Sequence, residues 1–410
     1  MSVDLHGRRG NPLPDSSSAT SDWEAWYGAA IVRPASPPPL PRRTIILTAL
    51  VLAALTIVSP ASAARYVSPS GSDAGSCTRS NPCRSFNKAY AVSRPGTVVI
   101  VFGGTYGGQR INARPKAHGP KILFRPARGA SVTLHSIRVV RGSYITFRGF
   151  RVVDDTYNEP GAQRITYSFI KMRQFFVRGA DHINYRNSEV GPNDADDGMN
   201  WITAAYGTQN GASDIVLDRV RIHDFKKHNS GAHVDCIGID DVKGLVIANS
   251  RFWNCEHFSI IFGKDLATGR AARHVLLQNN FFDCCYSGYY SLGFGDVEGP
   301  MRIRFNSFTL GVGWLGGTVR GLVFDSNVLS NNNSANCNDA TWRYNVVARG
   351  SACGGRRAGT GFRSPPRDLH LRVGAAAVNY GNPRNHPRVD IDGQRRPGGR
   401  RPDAGADERH

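Results

Sequence analysis

An eight-residue pattern returns along the middle of the chain while the interval between its copies shrinks. Its units begin at Ile145, Ile183, Ile215, Leu245, Val275, Met301, Leu322 and Ala340, so the interval falls from 38 residues to 18. Each unit is apolar at its first, third and eighth places. The sixth place is Asn in the last four units, at Asn280, Asn306, Asn327 and Asn345. Alternating apolar residues predict a strand. A constant strand at a variable interval is what a coil with a fixed core and loops of free length produces. No stripe of 3.6-residue period runs long enough here for a helix. A sandwich or barrel would join its short strands by hairpins, without a recurring Asn. The pattern therefore predicts an all-β fold, a right-handed parallel β-helix forming a single solenoid. Stacked Asn side chains would satisfy the polar groups that the turns bury.

A second strand is expected in each coil. Aligning Ile237, Ile260 and Leu292 puts Ile239, Phe262 and Phe294 in register, and these residues would face inward. Cys236, Ser259 and Ser291, then Gly238, Ile261 and Gly293, would face outward as a flat surface of small residues, open to a sugar chain.

The chain has 410 residues, enough apolar material (40%) for a large core, and a formal charge of +19. The basic balance favours anionic partners such as acidic polysaccharide. Seven Arg crowd the stretch from Arg384 to Arg409, which reads as a solvated surface or a contact for an anionic partner. Residues 1–41 are polar and Pro-rich and are expected to be a disordered leader. Arg42-Arg43, the apolar run Thr44–Val58 and Ala61-Ser62-Ala63 make residues 42–63 a secretory signal or a signal anchor, with cleavage after Ala63. The protein is thus expected to be secreted, or held at the cell surface if residues 44–58 remain as an anchor. Eight cysteines suit an oxidising compartment, and the lack of a C-x-x-C pair argues against zinc. Their pairing is open from sequence.

Both ends of the mature chain carry a resemblance. The opening runs Tyr66-Val-Ser-Pro-Ser-Gly-Ser-Asp73, Asn81-Pro82, Phe86, Pro95-Gly96-Thr97 and Gly104-Thr105-Tyr106. The close has Asp390-Ile-Asp-Gly-Gln394, Pro397 and Asp403-Ala-Gly-Ala-Asp-Glu408. Together they resemble secreted right-handed β-helix proteins of the pectate-lyase-like superfamily. The resemblance implies a short capping helix at about Ser85–Val92, a solenoid over 64–380 and a closing segment over 381–410. It also implies a polysaccharide partner, whether by lysis, hydrolysis, epimerisation or non-catalytic adhesion.

Chemistry-bearing residues concentrate between His223 and Asp265. The same register sets Asp241, Lys264 and Asp296 on neighbouring rungs and His233 beside Glu256. Lys264 between two Asp is compatible with the lysine base and Asp-held calcium that the resemblance implies for some lyases. Flanking carboxylates would nevertheless raise a lysine pKa. Hydrolysis needs two carboxylates, which Asp235, Asp240, Asp241 and Glu256 could supply. His233 and Asp235 share one strand face and could form a proton-transfer pair. Asp194, Asp196 and Asp197 form an oxygen-rich loop that could hold calcium. Trp201, Trp253, Trp314, Tyr289 and Tyr290 could stack on sugar rings. No nucleic-acid motif is present, and a monomer is expected. Two readings follow. One is an enzyme acting on acidic polysaccharide by β-elimination or hydrolysis. The alternative is a non-catalytic carbohydrate-binding or cell-surface β-helix.

Overall fold

The computed structural model describes residues 63–194, 199–227, 234–286, 290–332 and 337–410. Residues 1–62, the leader and all but the last residue of the signal segment, lie outside them. The described residues form a parallel β-helix with three faces. Within each coil the chain crosses face C, then face A, then face B. Residues 237–239, 242–248 and 251–255 are one such coil. Faces C and A belong to one 19-stranded sheet, because the long strands Ile137–Arg148 and Asp155–Ser168 turn their shared corner without a break. Face B is a separate sheet of 12 strands. Residues Phe86–Val92 form the capping helix, with Ser85 as N-cap accepting from the Lys88 N–H. Its Phe86 stacks on Phe147 and covers the mouth of the first coils.

The expected register holds. Ile237 pairs with Ile260 and Ile260 with Leu292, and Ile239, Phe262 and Phe294 follow in step. All six side chains are fully buried. Identical rungs superpose like side chains, so Phe252, Phe282 and Phe308 stack at 4.9 and 4.8 Å.

The corner between faces A and B explains the recurring Asn. A residue in the left-handed region turns the chain there (φ 53° at Asn249, 54° at Asn279), and Asn tolerates that region better than most residues. The next residue points inward and stacks. Asn280 Nδ2 donates to Asn306 Oδ1 (2.9 Å), Asn306 Nδ2 to Asn327 Oδ1 (3.1 Å) and Asn327 Nδ2 to Asn345 Oδ1 (3.0 Å). Ser250 continues the ladder with a smaller side chain, its hydroxyl accepting from the Val220 N–H.

Three expectations change. The 38-residue interval between Ile145 and Ile183 hides a coil, because Ile165 pairs with both. Its corner carries Phe169 and Ile170 in place of Asn or a small residue, which masked it. The solenoid ends earlier than residue 380. Its last face-B strand is Arg356–Arg357, and from Phe362 onward the chain folds back along the A–B corner. There Phe362, Leu369, Leu371, Ala377, Ala404 and Ala406 bury the outer sides of Phe281, Val328 and Val346. The Arg-rich stretch is only partly a solvated surface. Arg396 is almost fully buried, and its guanidinium donates to the carbonyls of Asp403, Gly405 and Ala406 beside Glu408. Removing one partner of a buried, hydrogen-bonded charge pair costs about 3–5 kcal/mol. Arg396→Met should therefore loosen the closing segment. Limited proteolysis would show it as new cleavage between residues 358 and 410, and an unchanged digest would refute it.

The eight cysteines form four disulfides: Cys77–Cys83, Cys236–Cys255, Cys284–Cys285 and Cys337–Cys353. Such density fits an oxidising compartment. Among the described residues no helix is long and apolar enough to cross a membrane.

Candidate functional site

The outer side of face C is not the bare small-residue surface that its sequence suggests. Ser259 and Ser291 are fully buried, and Cys236 is tied to Cys255. What the face presents begins with one outward row, one residue per rung. Arg138 pairs with Tyr157, Tyr157 with Phe176, Phe176 with Trp201, and Trp201 with Gly238. The row continues through Ile261, Gly293 and Gly313. Rungs lie about 4.8 Å apart, and the row is an aromatic step followed by buried glycines that neighbouring rings cover, Trp201 over Gly238, Phe258 over Gly293 and Tyr290 over Gly313.

Local contacts fix this arrangement. A Cβ on Gly238 would come within 2.6 Å of the Trp201 ring, so only glycine lets that ring lie across the next rung. Tyr157 and Phe176 rings sit 5.0 Å apart, with the Arg178 guanidinium 5.3 and 5.4 Å from their centres. Arg138 lies 4.6 Å from Tyr157 and is paired with Glu159.

Two residues further along each rung stand the polar groups. Arg178 pairs with Thr203. Asp240 follows Ile239, the partner of Ile202, and so lies beside Thr203 on the next rung. The Thr203 hydroxyl lies 3.4 Å from Asp240 Oδ2 and 3.2 Å from Asp265 Oδ2, bridging two carboxylates. Asp265 is held in place because its other oxygen accepts from the Ala267 and Thr268 N–H groups. Gly263 leaves room for the Asp240 carboxylate, since a Cβ there would fall 2.8 Å from Oδ1. Burial and then the nearby charge of Asp265 raise the Asp240 pKa to about 6, against the Thr203 hydrogen bond. Asp240 therefore holds its proton below about pH 6 and loses it above.

The expected site residues disperse. Asp241 is fully buried between Arg270 (2.7 Å) and Arg273 (3.2 Å), where it anchors the loop that carries Asp265. Asp296 accepts from the Thr318 N–H, and Lys264 is exposed one residue beyond Gly263. The three occupy the expected rung ends, but their side chains serve different partners. Asp235 is fully buried and accepts from the Phe258 N–H at 2.9 Å. Glu256 is mostly buried and accepts from the Lys227 N–H. His233, Asp196, Asp197 and Tyr289 lie outside the described residues. Asp194 is described, and its charge is felt by Lys226. Trp314 packs against Phe294 and Phe324, and Trp253 stacks on His223 at 4.1 Å. Of the described aromatics considered, Trp201 joins this row and Tyr290 lies against its Gly313. Tyr157, Phe176, Arg178 and Thr203 escaped notice, although a signal existed. The triplets Phe176-Val-Arg178, Trp201-Ile-Thr203 and Gly238-Ile-Asp240 each place two outward residues around an inward one.

No family model matches the chain, and no curated protein matches it. Solved structures do match. Pectate lyase Pel9A is 13% identical, with a TM-score of 0.47 over 85% of this chain and 97% of that one. An alginate lyase from Paenibacillus sp. str. FPU-7 is 16% identical, with a TM-score of 0.41 over 72% of this chain and 96% of that one. A rhamnogalacturonan lyase is 15% identical, with a TM-score of 0.41 over 74% and 91%. The likeness is one of fold. The activity of this chain has to be argued from its own site.

Proposed function

We propose that the protein binds an acidic polysaccharide along the outer row of face C and hydrolyses it at the Asp240–Asp265 corner. The observation that carries this reading is the carboxylate pair bridged by Thr203, open to the same face as the aromatic step. Glycoside hydrolysis needs one carboxyl group that holds a proton and one that stays ionised. Asp240, with its raised pKa, fills the first role and would protonate the leaving oxygen. Asp265, fixed by two backbone N–H groups, would take the proton of the water that adds to the anomeric carbon as the protonated leaving oxygen departs. Tyr157, Phe176 and Trp201 offer ring faces to successive sugars, and Arg138 and Arg178 offer cations to their carboxylates. Lys264 stands at the edge of the same corner and adds positive charge there.

An activity panel on uronate and neutral polysaccharides, with and without calcium, tests this reading. New reducing ends without ultraviolet absorbance are expected. Absorbance from unsaturated ends would instead mean β-elimination and return Lys264 and calcium to the centre of the chemistry. Silence from a folded protein would leave carbohydrate binding alone.

Binding has its own check. Trp201→Ala should weaken affinity for an oligouronate by about tenfold, the upper range for loss of one aromatic stacking partner. Calorimetric titration would measure it, and an unchanged affinity would remove Trp201 from the binding surface.

A further inference from the structure

A second concave surface lies on a different corner from Asp240. The closing segment covers the A–B corner from Asn279 onward, where Asn279 Nδ2 donates to the Val389 carbonyl and Asn382 Nδ2 to Asp325. Earlier coils leave that corner uncovered. Beneath the edge of the segment is a cleft of about 520 Å³. Its floor is the first outward row of face B. Lys171 pairs with Glu189, Glu189 with Arg221, and Arg221 with Arg251, on successive rungs. Arg219 joins them from the corner, and His370 faces them from the closing segment.

We propose that this cleft is a second binding site, for the carboxylate or sulfate groups of an anionic oligosaccharide.

Charge, spacing and shape support it together. Lys171, Arg219, Arg221 and Arg251 line the space; Glu189 pairs with Lys171 and Arg221, Asp218 pairs with Arg219, and Arg251 donates to the Arg367 carbonyl. His370 donates between Asp392 and Asp368, and the hydrogen bond to Asp392 comes first in raising its pKa to about 9. It is thus a cation at neutral pH and offsets one of the two acids that hold it. Guanidinium groups one rung apart match charges repeated along a chain, and each can take an oxyanion in a two-point contact. The volume suits a few sugar rings, and Phe169, 51% exposed, offers one of them an apolar face. A nucleic-acid strand would need several stacking aromatics in succession, which the lining does not supply.

The site gives the basic surface a role that the face-C row does not cover. It does not depend on cleavage at Asp240.

The test is calorimetric titration of the full chain with trigalacturonate, a sulfated hexasaccharide, inorganic sulfate and single-stranded DNA. Asp240→Asn and Trp201→Ala go into the background, so that face C is silenced. Lys171→Ala with Arg221→Ala should lower affinity for one of the two oligosaccharides by about tenfold or more, the scale of one lost charge-assisted contact. Glu189→Gln removes a competing acid and should raise affinity, a gain that damage to the fold would not mimic. Arg388→Glu, exposed on the closing segment, should leave affinity unchanged. The preferred oligosaccharide tells carboxylate from sulfate as the source of the charge. An unchanged double variant overturns the site. So does an equal loss in Arg388→Glu, or binding of DNA or free sulfate as tight as that of either sugar.

Discussion

Asp240→Asn should abolish turnover and at the same time make the protein more stable at neutral pH. Loss of a general acid lowers the rate by about 10²–10⁴-fold. The stability change has the opposite sign for a reason that the same geometry supplies. Burial, and then Asp265, raise the folded pKa of Asp240 above its ordinary value to about 6. The folded state therefore holds the proton more tightly than the unfolded state does. That contribution is complete below the ordinary carboxylate pKa and is lost as pH rises through about 6. Wild type at pH 7 carries the cost of an ionised Asp240, and an amide does not. The variant should gain about 1–3 kcal/mol at pH 7 and nothing near pH 3, by urea unfolding at both values. Its wild-type parent should lose activity about tenfold per pH unit above 6, as the acid form disappears. A structural carboxylate would behave differently. If Asp240 only held the corner, replacing it would cost stability and leave the alkaline limb of the rate profile in place. A variant that is less stable, yet active, would end the proposal.

The contrast between Asp240 and Asp241 shows what the sequence could and could not convey. The alternation that turned Ile237 and Ile239 inward was legible, and it set Asp240 and Asp241 at the end of that strand. Which of the two carboxylates would be neutralised was not. That depends on Arg270 and Arg273, which arrive from the loop of the following coil and enclose Asp241. Nor could the alternation reveal Asp265 as the partner of Asp240, because Thr203, the group that joins them, comes from the coil before. Tyr157, Phe176 and Trp201 form one continuous row, yet their spacings of 19 and 25 residues share no period. Loops of free length erase the sequence record of which residues are neighbours. The inward positions escaped this loss because every coil repeats the same packing problem and answers it with similar residues. The outward positions answer to a ligand, and nothing in the fold obliges them to repeat. The coil at Ile165 is the exception that supports this view. Its inward residues fit the pattern, and only Phe169 and Ile170 at the corner concealed it.

That corner is also where the largest loss of stability is expected. Asn306 accepts from both the N–H and the side-chain amide of Asn280, and its own amide donates to Asn327 Oδ1 and to the carbonyls of Leu277 and Arg304. All four ladder residues are fully buried. Asn306→Ala would strand several of these groups away from water, at about 1–3 kcal/mol for each that finds no new partner, so a total of about 3–5 kcal/mol is expected. Asn306→Ser should cost less. Ser250 shows that a hydroxyl at this position still accepts an N–H from a neighbouring coil, in its case that of Val220. The cost should also be directional. In a stack of coils stability is shared between neighbours, and a weakened interface can let one part unfold before the other. The closing segment opposes that, since the Ala406 N–H bonds Ser307 on the weakened rung and the Gly405 N–H bonds Ser326 on the next. Asn306→Ala should therefore retain a single unfolding transition at lower denaturant. Arg396→Met combined with it should split the transition in two. A loss below about 1 kcal/mol for Asn306→Ala would mean that the ladder fills space and carries little energy, and the recurring Asn would need another cause.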